Sequence, residues 1–166
     1  NPGCYATSIL LGLIPLLNVW LRDDPTARQK VAIVNAPDIW LEAGMVPQPS
    51  RTLFLGEAPE DAVDVDAIAT DFGRFWERYA LQVKAAWDKH GPLFVVNRRV
   101  GGHLAKVANN LGVYLEDHER PDLALGMYQK ARDLDTNNVS ALLNLHALAR
   151  RENLPEREDL EAELEQ

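Results

Sequence analysis

Asn110 and Asn144 carry the side chains best suited to recognition chemistry in this sequence. A primary amide offers both a donor and an acceptor, the pair a peptide unit presents in return. The two asparagines stand 34 residues apart, and each is followed by leucine. Lys106, one helical turn before Asn110, would add a charge contact. Cys4 is a second candidate, because a thiol at the head of an apolar helix can become a nucleophilic thiolate. Asp38 and Glu42 lie at helical spacing, but such pairs are common on solvated helix faces. The four histidines, His90, His103, His118 and His146, show no metal-ligand spacing with one another or with Cys4. No metal, no cofactor and no catalytic residue are therefore assigned.

The elements that must hold these residues are read from periodicity. Residues 22–30 form a polar linker, and Val31–Val34 is the one run that suits a buried strand. Asp38 to Ala43 predicts a helical turn stopped by Gly44. Residues 45–64 hold Pro47, Pro49, Gly56 and Pro59 and predict a loop, with a brief extended piece at Leu53–Leu55. From Val65 the period is helical. Ile68, Phe72, Phe75, Trp76 and Tyr79 form an apolar stripe, read as core, on a long helix ending near His90. Leu93–Val96 is a second apolar run. Gly101 and Gly102 predict a break, followed by a helix from His103 to Asp117.

The stretch from Ala105 to Asn138 resembles the tetratricopeptide repeat, a helix–turn–helix unit of about 34 residues. Leu111, Gly112, Leu115, Ala124, Tyr128 and Ala131 carry the resemblance, with Asp135 to Asn138 after them. Thr136 stands where the family usually has proline. The resemblance implies one helix ending near Asp117 and a second from Pro121 to Asp135. Gly112 and Ala124 would let the two approach closely, with Tyr128 filling the groove beside them. A worn second copy begins at Val139, with His146 in place of the small glycine, and the helix from Pro155 reads as a solvating cap. In this family the first helices line a groove for an extended peptide. Asn110, Asn144 and Lys106 are the residues that such a role would use. The same asparagines could instead bridge neighbouring helices internally.

The N-terminus reads differently. Residues 1–21 carry no charged side chain, and Ile9–Leu21 is strongly apolar. Such a segment suits a buried or partner-facing helix, or the end of a membrane helix that Pro15 and Asn18 would interrupt. The first residue is not Met, which predicts a fragment or processed product. Residues 1–17 also resemble the nucleophile segment of N-acetyl-gamma-glutamyl-phosphate reductase. The resemblance implies that Cys4 attacks an acyl phosphate. That family usually has proline where this chain has Ala6, and Gly101–Gly102 does not open a nicotinamide-binding fingerprint.

Of the 166 residues, 46% are hydrophobic and 25% charged, enough to bury a core of real size. The net charge of −8 argues against nucleic acid as a partner, since phosphate binding needs a basic face. Seven acids against Arg157 alone put −6 of it in the last fifteen residues. The expected fold is mainly α: an irregular N-terminal half with at most a short β element, a long helix, then a short α-solenoid of two helical hairpins. The expected domains are an apolar helix at 1–21, an irregular linker at 22–64 and a helical domain at 65–166. Within the last, the repeat spans 105–138 and its degenerate copy and cap span 139–166. The expected function is a non-enzymatic adaptor or scaffold that binds a protein or peptide. The alternatives are the soluble tail of a bacterial multi-span membrane protein and, behind it, a reductase fragment. The compartment would be cytoplasmic, or membrane-anchored if residues 1–21 belong to a membrane helix.

Overall fold

The computed structural model describes residues 15–17, 19–28, 30–34, 38–59, 62–85 and 91–164. Cys4, most of the apolar N-terminal run and His90 lie outside the described residues. The architecture is mainly helical, with a small two-stranded sheet. By contacts the chain divides into two compact units, Asn1–Gln48 with Leu53–Val63 and Pro49–Thr52 with Asp64–Gln166.

In the first unit, residues 15–17 and 19–23 are helical and Pro25–Arg28 adds a single turn, α1. Helix α2 (Asp38–Glu42) ends as its glycine predicts. Gly44 turns left-handed at φ 75°, and the Met45 N–H closes on the Trp40 carbonyl at 2.8 Å. Strands β1 (Val46–Ser50) and β2 (Leu53–Glu57) form a hairpin. The extended piece expected at Leu53–Leu55 lies within β2, but β1 falls where a loop is predicted. Its prolines are tolerated because a two-stranded sheet consists only of edges, where an N–H can be spared. Ile33 forms a single antiparallel bridge with Phe54. Val31–Val34 is thus not a buried strand, and Val34 is exposed. The core here is Trp40, Phe54, Leu21 and Met45. The Trp40 indole N–H donates to the Phe54 carbonyl at 3.0 Å, so the buried ring leaves no polar atom unpaired.

The second unit is helical. Helix α3 (Val65–Ala85) buries Phe72 and Trp76, whose rings stack at 5.8 Å, and leaves Tyr79 exposed. Helix α4 (Phe94–Asp117) runs straight through Gly101 and Gly102, so the predicted break is absent. Two glycines cost a helix roughly 1 kcal/mol each relative to alanine. Burial of the helix's packing face outweighs that, and Gly101 lies in the buried part. Helices α5 (Pro121–Leu134), α6 (Val139–Arg151) and α7 (Arg157–Leu164) follow. Pro121 occupies the first turn of α5, where its missing N–H is harmless. Asn138 caps α6 by accepting the Ala141 N–H at 3.0 Å.

Helices α4 and α5 pack antiparallel: Gly102 lies near Asp135, Gly112 against Tyr128, and the Arg120 N–H bonds the Leu115 carbonyl. Leu111, Leu115, Ala124, Tyr128 and Ala131 are all buried at this seam. Each large apolar side chain so buried contributes about 1.5–3 kcal/mol. A methyl at Gly112 would stand 2.4 Å from the Tyr128 ring, so the ring seats directly on the glycine.

The turn after α4 and the turn after α6 are built alike. Glu119 (φ 60°) and Asn153 (φ 51°) each take a left-handed conformation. Each is followed by a residue whose N–H reaches five back, Arg120 to Leu115 at 2.9 Å and Leu154 to Ala149 at 2.8 Å. A proline comes next in both, Pro121 and Pro155. Every one of these pairs is 34 residues apart.

Candidate functional site

Helices α4 and α6 are held side by side by two polar rungs. The Asn144 amide donates to Asn109 Oδ1 at 3.0 Å, and Arg151 donates to Glu116 at 3.1 Å. Both rungs join residues 35 apart, so numbers rise together and the two helices run parallel. Asn109 is buried, with 7% of its surface exposed, and the Asn144 bond satisfies part of its polar demand. Sequence reasoning set Asn109 aside as the wrong face. The signal that would have placed it is the stripe Ala105, Asn109, Gly112, Glu116, whose steps of three and four residues follow the packing face.

One residue round from that stripe, Lys106, Asn110 and Val113 fall on a common face of α4. Lys106 and Val113 are exposed and Asn110 is half-buried. Among the described residues, the Asn110 side chain makes no hydrogen bond. Its amide is therefore free for a ligand, whereas Asn144 has already committed one donor to Asn109. The structure thus pairs Asn144 with Asn109 and leaves Asn110 open. On α6, Ser140, Leu143 and Ala147 are exposed beside Asn144. Val113 and Leu143 add apolar area that the sequence alone did not mark as part of a site.

The electrostatics of α4 run against those of the whole chain. From Phe94 to Leu115 the helix carries Arg98, Arg99 and Lys106 and no acid. The carboxylates gather elsewhere and mostly face guanidinium groups. Arg51 holds Asp71 through two hydrogen bonds of 2.8 and 2.9 Å, which keeps that carboxyl below its usual range. Arg120 binds both Asp122 and Asp66, and the Arg120 hydrogen bonds likewise lower Asp122. Arg132 pairs with Glu163, tying α5 to α7. Burial pushes the Tyr128 phenol well above its usual range, and the neighbouring Glu116 carboxylate adds to the effect.

A cleft of about 420 Å³ opens at the other end of α4. Phe94, Arg98 and Gly102 line it from α4, Leu134 from α5, and the Asp135–Asn137 turn closes it. The Asp135 carboxylate accepts the Asn137 N–H at 3.1 Å through Oδ1, while Oδ2 lies over Gly102.

Among the described residues, no group of three or more His, Cys, Asp or Glu could hold a metal ion, and no helix is long and apolar enough to cross a membrane. His103 donates to the Thr52 carbonyl at 2.9 Å and His118 to the Tyr114 carbonyl at 2.7 Å. Both are held by backbone rather than aimed at a site. Compared with family models, curated proteins and solved structures, the chain matches none.

Proposed function

We propose that the chain is a peptide- or protein-binding module built on two tetratricopeptide-like helical hairpins, and not a catalyst. The observation that carries this reading is the recurrence at 34 residues of the whole turn, its left-handed residue, its closing hydrogen bond and its proline. A recurrence in backbone geometry is harder to meet by chance than one in residue types. The parallel α4 and α6 helices support it, as a stack of such hairpins sets its first helices side by side. The binding face would be Lys106, Asn110 and Val113 with Leu143 and Ala147. Asn110 would hydrogen-bond the peptide backbone, and Asn144 would contribute through the oxygen its bond to Asn109 leaves free.

The test is the double variant Lys106→Ala with Asn110→Ala, which leaves the Asn109–Asn144 rung intact. Full-length wild type and variant are used as bait in the same extract, and captured proteins are quantified. The expected result is an unchanged helical spectrum with partners depleted about tenfold, the equivalent of roughly 1.4 kcal/mol. An identical capture profile with intact helices would sink the assignment of this face.

A further inference from the structure

We propose that the cleft between α4 and α5 is a second recognition site, which takes a bulky apolar side chain from an acidic peptide segment of a partner protein. The site goes beyond the α4–α6 face and does not rest on it.

The argument begins with length. Helix α4 has 24 residues and its antiparallel partner α5 has 14. The two share a short turn at one end, so about ten residues of α4 run past the end of α5, roughly 15 Å at 1.5 Å per residue. This overhang exposes Leu93, Val95, Val96 and Val100. A contiguous apolar patch rimmed by charge marks an interaction surface more often than scattered exposed side chains do.

The cleft at its base supplies shape. Its volume of about 420 Å³ suits a large side chain with part of its backbone. Phe94 and Leu134 give apolar walls. Asp135 Oδ2 is placed to accept a peptide N–H. Charge then selects the occupant. Arg98 on the wall and Arg99 beside it make no ion pair among the described residues, while Arg51, Arg120, Arg132 and Arg151 all do. The nearest acid beyond the α5–α6 turn cannot compensate them from within α4, which has none before Glu116. Unpaired guanidinium groups beside an apolar cleft favour a carboxylate flanking the anchor. Asp135 fixes the polarity: the partner's carboxylates must lie toward Arg98 and Arg99, with its backbone over the turn.

The experiment is a fluorescence-anisotropy titration of the full chain with three labelled peptides. One is acidic with a single central tryptophan, one has alanine in place of the tryptophan, and one has lysines in place of the acids. The acidic tryptophan peptide should bind, and each counterpart should bind at least about tenfold more weakly. Arg98→Glu with Arg99→Glu should cost a similar factor, and so should Gly102→Met, which fills the cleft while favouring the helix. Arg74→Glu with Arg78→Glu makes the same change in net charge on α3 and should leave binding unchanged. Added salt should weaken the complex. The proposal is overturned if no peptide binds, if the lysine peptide binds as well, or if both charge-reversal variants behave alike. Since the probe never depends on Asn110, failure here leaves the α4–α6 face standing, and the reverse also holds.

Discussion

Gly112 and Tyr128 are the pair on which the α4–α5 hairpin closes. With the ring seated on the glycine, a β-carbon would have to displace Tyr128 from a site where only 1% of its surface is exposed. Gly112→Ala should therefore destabilise by about 1–3 kcal/mol despite alanine's better helix propensity. Gly126→Ala, on α5 with nothing within 4 Å of its added methyl, should instead stabilise by about 0.5–1 kcal/mol. Urea melts of the two variants check the opposite signs, and matching signs would refute this account of the seam. At this scale the sequence was informative wherever size was the message: Gly112, Ala124 and Tyr128 form a small–small–large set whose packing follows from volume. It was uninformative about Asn109 and Asn110. Both are amides, and only the phase of the helix decides which one is spent inside.

Elements were legible in proportion to how local their causes are. The stop at Gly44, the start at Pro121 and the cap at Asn138 depend on a few neighbouring atoms and could be read directly. The run of α4 through Gly101 and Gly102 could not, because it is decided by burial against other helices. That continuity makes a prediction. A methyl at Gly102 would meet only Asp135 Oδ2, at an ordinary 3.8 Å. Gly102→Ala should thus raise stability by about 0.5–1 kcal/mol in thermal melts, as for a helix interior. A loss of stability would mean that the chain needs a break there after all. Strand β1 was missed for a related reason: its prolines forbid the middle of a sheet, but not a hairpin with two free edges.

For the whole molecule, stability should fall at both ends of the pH scale, through different groups. Asp71 and Asp122 have folded-state values below the ordinary 3.8, so their contribution is full above that value and lost as pH falls through the lower folded ones. Tyr128 is the reverse case. Its folded value is raised, so its contribution is full below about 10 and is lost as pH rises through the folded value. Tyr128→Phe should flatten the alkaline limb of the stability curve and leave the acid limb as it was. Equilibrium melts across the range would show it, and an unaltered alkaline limb would count against Tyr128. The two rungs between α4 and α6 carry one more consequence, for chain length rather than composition. Asn144 and Arg151 are seven residues apart, as are Asn109 and Glu116, so each pair spans about two turns and shares a face. Adding one residue to the turn that precedes α6 shifts no side chain relative to its helix. Adding one inside α6, between Asn144 and Arg151, turns one rung about 100° away from the other. Insertions should therefore be absorbed at the turns and rejected between the rungs, whatever the inserted residue is.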